Sequence, residues 1–311
     1  MSRLLTVLMA VYNGEQYLRT AVDSILSQTY SDFKFLIVDD ASTDSTRDIL
    51  GSYDDPRVDL LFLEKNVGQT AALDIGLRRA ATPWIARMDA DDFSAPTRLQ
   101  TQMEVLAADA SLSCVGSYAW TFQDDPSISE TIIVKPIDNF GIRNELLRGS
   151  PIIHGSIVVS RDALLKAGGY DERYRFANDV ELYDRLLENI VSANIPHQLL
   201  GIRRHDEQGS RTKASFDEVI EIFQHRLATK DYSRKESAKV RTTLARFHVI
   251  RARFLALEKC FSGVFKDLWQ AFRLSPIDFL WNCFFVMVVY QMSERSRVRI
   301  KKLLRRYPRE V

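Results

Sequence analysis

Four short, mostly apolar runs, each ending in polar or acidic residues and followed by helical spacing, constrain this chain more than any other feature. Leu4 to Val11 runs without interruption into Tyr12-Asn13-Gly14, and Leu18, Ala21, Val22, Ile25 and Leu26 then recur at helix period. Phe33 to Val38 ends in Asp39-Asp40, and Ser42-Thr43-Asp44 offers N-cap chemistry for a short helix to about Tyr53. Val58 to Leu63 reads as a third strand and Thr70 to Ala80 as a third helix. Trp84 to Met88 is a fourth strand ending at Asp89, with a helix from Pro96 to Ala108. Such alternation predicts right-handed βαβ units around a mostly parallel sheet. Tyr12, Asp39-Asp40 and Asp89-Ala90-Asp91 then fall at the carboxyl ends of strands, where open α/β sheets bind ligands.

Past Ser113 the pattern turns mixed. It predicts a strand to Trp120, a turn at Asp124-Asp125-Pro126, a short strand near Ile132 and a helix over Asn139 to Leu147. A strand over Ser156 to Ser160 comes next, then a helix from Arg161 closed by Gly168-Gly169 and another from Asn178 to Glu188. From Phe216 onward only helices are expected, broken near Asp231 to Ser233 and at Ser275-Pro276. With 311 residues, 46% hydrophobic and 27% charged, the chain has material for one large α/β domain and an annex. Its three cysteines are scattered and form no CxxC pair, which argues against a disulfide framework or a zinc site and for a reducing, cytoplasmic location. The apolar start is too short for a signal peptide and reads as a buried first strand.

Asp89-Ala90-Asp91 carries the clearest chemical suggestion. Two carboxylates on one tight turn suit a hard divalent cation that keeps its other positions for phosphate oxygens and water. Read alone, such a turn is more commonly just solvated.

Taken together, VLMAVYNGEQYLRTAVDSILSQTYSDFKFLIVDDASTDST, NVGQTAALDIGL, MDADDFSAPTRL, HGSIVVSR and GGYDERYRFANDVELYDRL resemble, in order and over about residues 4 to 205, the family 2 glycosyltransferases. The resemblance implies the GT-A fold: a Rossmann-like nucleotide-binding sheet fused to an α+β acceptor half. Residues 1–112 would then be the nucleotide-sugar half, 113–212 the acceptor half, and 213–311 a helical extension. It also implies an inverting transfer from a nucleoside diphosphate sugar, with a UDP-linked donor expected, using Mn2+ or Mg2+ in bacterial surface-glycan assembly. The acceptor would be a glycan or a lipid-linked oligosaccharide.

Residue roles come from the same resemblance. The backbone around Ala10 to Tyr12 would line the base pocket, Asp40 would accept from the base imide with Asp39 near the ribose, and Asn66 and Gly68 would form a loop over the nucleotide. Read alone, these are turn and capping residues. Asp91 would coordinate the metal, Asp89 would reach the ribose or a metal-bound water, and Asp92 would support the loop. Asp179 would be the general base, where the unaided reading is a helix-capping acid, and Asn178 stands where the family has Glu. His154 would lie near the acceptor or diphosphate. Arg203, Arg204 and His205 resemble a late element that binds diphosphate or completes the metal shell, Arg204 on the donor and His205 on the metal. Asp74 and Ala10 depart from the family's usual residues. Rival readings are a sugar nucleotidyltransferase, which lacks a glycine-rich phosphate loop here, and a non-catalytic scaffold of the same fold.

Charge is distributed unevenly. The net +1 divides into +6 over Glu294 to Val311 and −5 over the rest. The apolar stretch Phe279 to Met292 is too short to span a bilayer, so with the basic tail it is expected either to pack as a core helix or to lie on an anionic membrane face. Nucleic acid is not expected as a partner, since the tail lacks interleaved stacking aromatics.

Overall fold

The computed structural model describes residues 4–205, 212–276 and 279. Along the chain run β1 (Leu5–Val11), α1 (Leu18–Leu26), β2 (Phe33–Asp39), α2 (Thr46–Gly51), β3 (Val58–Phe62), α3 (Gln69–Arg79), β4 (Trp84–Asp89), β5 (Phe93–Ser94) and α4 (Arg98–Ala108). They continue as β6 (Leu112–Phe122), β7 (Thr131–Ile133), α5 (Asn139–Leu146), a 3₁₀ turn at His154–Ser156, β8 (Val158–Ser160), α6 (Arg161–Lys166), α7 (Asn178–Leu186) and β9 (Val191–Arg203). Helices α8 (Lys213–Thr229), α9 (Arg234–Leu257) and α10 (Phe261–Leu274) follow among the described residues. Two compact units result, one of Met1–Leu146 with Ser150–Glu207 and the other of Leu147–Gly149 with Gln208–Val311.

In the first unit, a single sheet runs in the order β3-β2-β1-β4-β8-β6-β9-β5, with β7 pairing off β6. The first four strands are mutually parallel, and β8 enters antiparallel to both β4 and β6. Strand β1 is buried throughout because it lies between β2 and β4, which explains why its sequence is continuously apolar rather than alternating. Its side chains still divide by parity. Leu5, Val7, Met9 and Val11 pack with α1 and α4, while Leu8 and Ala10 face the layer that contains α3, α5, α6 and α7.

Register sets the functional edge. Ala10 aligns with Val38 on one side and Asp89 on the other, and Val11 aligns with Asp39. The loops after β1, β2 and β4 therefore start at one level.

Three features differ from the sequence expectation. Strand β9 is the longest in the sheet and pairs with β6 over nearly its whole length, yet Pro196 and the exposed run of residues 196–198 hide it. The pairing jumps from Ile195 to Gln198 there, a bulge that accommodates a proline. The two-residue β5 pairs antiparallel with Leu200 and Gly201 of β9, and no sequence pattern marks it as a strand. In the second unit, the helices break not only near Asp231 but also at residues 258–260, where Lys259 turns left-handed with φ 59°. A capping box between Ser233 and Glu236 starts α9. The expected apolar stretch and basic tail beyond residue 279 lie outside the described residues.

Candidate active site at the carboxyl edge of the sheet

The loops after β1 and β2 are stapled together. Asn13, left-handed at φ 49°, donates its N–H to Ser42 Oγ at 2.9 Å and accepts from the Thr43 N–H at 2.8 Å. The Gly14 N–H reaches Thr46 Oγ1 at 2.8 Å, and Glu15 accepts from the Ser45 N–H at 2.9 Å. Asp44 ties both sides, accepting from Glu15 and Thr46, so the expected capping chemistry is present although Ser45, the formal cap, makes no side-chain bond. Tyr12 projects from this braced floor half exposed, and Ala10 beneath it is buried.

Both acids at the tip of β2 are buried and fully engaged. The Asp39 carboxylate pairs with Arg47 at 2.7 Å and accepts from the Ser42 N–H. The Asp40 oxygens accept from the Val67 and Gly68 N–H groups at 2.7 and 2.8 Å, and Asn66 donates to the Asp40 carbonyl. This fixes the loop after β3, where Gly68 adopts φ 90°, a conformation that a side chain would strain. A cavity of about 170 Å³ opens beside it, lined by Asn66 to Gly68, Thr70, Ala71, Glu172 and Arg175.

The tip of β4 is electrostatically different. Asp89 pairs with Arg87, whose guanidinium is buried and whose Nε finds no hydrogen-bond partner. Burial lowers the Arg87 pKa against the opposing pull of Tyr170, Asp92 and Asp91. The Asp92 carboxyl is pushed up to about 8, by burial first and the neighbouring Asp91 charge second, while it accepts the Arg203 N–H. Asp91 contacts His205 Nε2 at 2.9 Å, and Gln69 of α3 approaches Asp89 at 3.4 Å. Gly155, in the 3₁₀ turn, presses against the cluster: a Cβ there would lie 3.1 Å from Asp89 Oδ2 and 3.4 Å from Asp92 Oδ2. Fully buried Arg98 holds that turn by donating to the carbonyls of Gly155 and Arg87, and burial lowers its pKa to about 10.

At the end of β9, Arg203 acts as a clamp. It donates to the carbonyls of Asp91, Gln123 and Asp124 and is flanked by the rings of Tyr17 and Phe122, each 4.6 Å away. Arg204 comes next, its pKa lowered by burial against the attraction of Asp92, and His205 packs against Tyr17 at 5.0 Å.

Helix α7 brings the remaining candidates. Asp179 lies in its first turn but does not cap it, since Ala177 is the cap residue; its carboxylate instead accepts from Ser150 Oγ at 2.9 Å. Asn178 is buried and donates to Thr70 Oγ1, which donates to the Tyr174 carbonyl, so α7 is tied to the start of α3. His154 Nε2 shares a 2.9 Å hydrogen bond with the Tyr170 hydroxyl. Burial, with Arg87 adding to it, lowers the His154 pKa well below normal. The Tyr170 hydroxyl is raised mainly by burial, and it feels both Arg87 and Asp179. Tyr170 thus lies within reach of the charges of both Arg87 and Asp179. Asp74 accepts the Tyr170 N–H and pairs with Arg78, an anchoring role for that residue.

Sequence reasoning did not single out Arg87, Arg98, Tyr170 or Ser150. A cation in the middle of an otherwise buried strand, as in WIARMD, was the signal available for Arg87.

Among the described residues no group of three or more His, Cys, Asp or Glu converges as a ready-made ion site. Asp91 and His205 nevertheless face one another with the Asp92 carboxyl close by, a pair that could give a cation two ligands while phosphate and water supply the rest.

The family model described as Glycosyl transferase family 2 matches residues 6–169. EpsE of Bacillus subtilis (strain 168), named as a glycosyltransferase, is 30% identical over 227 residues, an alignment covering 70% of this chain and 80% of EpsE. The crystal structure of S. aureus TarS 1-349 in complex with UDP-GlcNAc superposes with a TM-score of 0.69 at 16% identity, covering 88% of this chain and 82% of that one. Mannosyltransferase PcManGT from Pyrobaculum calidifontis, in complex with GDP-Man and Mn2+, superposes with a TM-score of 0.58 at 18% identity, covering 90% and 87%. At those identities the structural likeness is one of fold.

Proposed function

Since the chain belongs to glycosyl transferase family 2, we propose that it is an inverting, metal-dependent enzyme that moves a sugar from a nucleoside diphosphate donor, a UDP-sugar, to a glycan or lipid-linked oligosaccharide hydroxyl. Family membership and the GT-A fold establish a glycosyltransferase. The observation that carries the finer reading is the joining of the β4 acids to the β9 terminus, where His205 meets Asp91 and Arg203 holds Asp91 and Asp92, with the charges of Arg87 and Asp179 both felt at Tyr170.

In this reading Tyr12 faces the base. Asp40 and Asp39 act on the nucleotide through the loop and helix they hold, with Asn66 and Gly68 closing the pocket. Asp91 and His205 would hold Mn2+ or Mg2+, Asp89 would meet the ribose or a metal-bound water, and Arg204 would meet the diphosphate. When bound, the cation supplies charge neutralisation for the departing diphosphate. Asp179 takes the proton from the acceptor hydroxyl as its oxygen attacks the anomeric carbon. The bond from that carbon to the diphosphate oxygen breaks, and its electron pair leaves with the diphosphate. Ser150 orients the base, and neutral His154 with Tyr170 lines the acceptor side; Asn178 positions Asp179 through Thr70. A cytoplasmic enzyme with its basic tail at the inner membrane surface suits a lipid-linked acceptor.

The test is to incubate the protein with UDP-sugars and Mn2+, and to read donor turnover and the anomeric configuration of the product by NMR. Inverted product that disappears in Asp179→Asn supports the assignment. Retained configuration, undiminished turnover in Asp91→Ala, or pyrophosphate release from a nucleoside triphosphate instead would overturn it.

A further inference from the structure

In the second unit, helix α10 turns an aromatic stripe outward. Phe261, Phe265, Trp269 and Phe272 recur at intervals of four, four and three and fall on one face of the helix. They are 50%, 73%, 59% and 39% exposed, a concentration of solvent-facing aromatic surface on a single helix. Trp269 and Phe272 stack on each other at 5.9 Å, and Phe272 also meets Phe279 edge-on at 5.3 Å.

The opposite face of the same helix is conventionally packed. Val264, Asp267 and Ala271 are buried against α9, and Asp267 takes hydrogen bonds from Arg251 and His248 there. The only acid of α10 is thus turned inward and paired with Arg251. Its two cations, Lys266 and Arg273, are exposed on the flank of the aromatic face. An outward face of three Phe and one Trp, bordered on its own helix only by positive charge, has the composition of a helix lying in a lipid headgroup layer, where aromatics enter the acyl boundary and cations meet anionic headgroups.

We propose that the α10 face of Phe261, Phe265, Trp269 and Phe272, flanked by Lys266 and Arg273, is a docking surface for an anionic phospholipid bilayer. Charge selects this occupant over a second copy of the chain, because two such faces brought together would oppose Lys266 and Arg273 to their own copies. The sequence beyond the helix agrees in sign, with its net +6 over Glu294 to Val311. This deepens the membrane placement proposed above and stands apart from the transfer chemistry.

The experiment is co-sedimentation of the full chain with phosphatidylglycerol-phosphatidylcholine vesicles and with phosphatidylcholine alone. Compared are the wild type, Phe265→Ser/Trp269→Ser, Lys266→Glu/Arg273→Glu, and a tail variant, Lys301→Glu/Lys302→Glu/Arg305→Glu/Arg306→Glu. Because all the α10 positions are exposed, circular dichroism should show each variant as folded as the wild type. The expected result is selective binding to the anionic vesicles, weakened about tenfold or more by Phe265→Ser/Trp269→Ser and weakened also by Lys266→Glu/Arg273→Glu. Binding that survives both α10 variants and falls only in the tail variant overturns the assignment while leaving the tail reading intact. A wild type that stays in the supernatant overturns it as well, and so does one that forms dimers dissolved by Phe265→Ser/Trp269→Ser.

Discussion

Two strand tips on the same edge carry adjacent acids and treat them in opposite ways. At β2, Asp39 and Asp40 are buried, and every oxygen has an internal partner: Arg47, the Ser42 N–H, or the N–H groups of Val67 and Gly68. At β4, Asp89, Asp91 and Asp92 crowd around a buried Arg87 that retains an orphan Nε, and the Asp92 carboxyl is pushed up to about 8. The first pair is closed and holds a loop in place. The second is crowded with like charge, the Asp91 charge adding to the burial that raises the Asp92 carboxyl, and a cation beside it would relieve that. Acid pairs that look alike in sequence are therefore separated by whether the protein itself satisfies them.

The contrast can be broken by substitution. The largest effect is expected at Asp179, the proposed base, whose charge is felt at Tyr170 as that of Arg87 is: Asp179→Asn should lower kcat by about 10²- to 10⁴-fold. Donor affinity, measured by calorimetry with the nucleotide sugar, should be unchanged. A matching loss of donor affinity would move Asp179 out of the base role. Next comes Asp40→Asn, which turns an amide NH2 toward the backbone N–H of Val67 or Gly68. It should cost about 2 kcal/mol of stability by urea denaturation, with transfer falling only as far as the loop after β3 loosens. A variant as stable as the wild type would show that the β2 pair is not structural.

The smallest effect is on pH dependence. His154 is held neutral by burial beside Arg87, while in the unfolded chain its imidazole protonates near 6.5. The unfolded state therefore binds the extra proton below that pH. Stability should fall as the solution is acidified past 6.5, by up to about 1.4 kcal/mol per pH unit, and stay flat above it as far as this group is concerned. His154→Gln should remove that component of the slope, and an identical slope in the variant would refute the assignment.

Much of this edge was legible in the sequence because strands buried on both sides announce themselves. The runs LTVLMAV and FKFLIVD are apolar almost to their last residue, so the polar residues directly after them must lie at the tip. Gly68 and Gly155 had visible positions, but their reasons, a left-handed φ and the approach of Asp89, are tertiary. Strand β9 was obscured because Pro196 lies in a bulge that only the partner strand β6 reveals. The engagement of Asp40 with a backbone 27 residues away, and the insertion of Arg87 beneath Asp89, depend on contacts that no local pattern encodes.

The central claim is that the β4 tip is a working site and not a structural one, and Asp91→Asn tests this most directly when stability and Mn2+-dependent sugar transfer are measured on the same preparation. Removing one charge from a crowded cluster should leave the metal-free protein as stable as the wild type or more so, while transfer falls by about a hundredfold or more. A variant that is destabilised yet transfers sugar undiminished would contradict it.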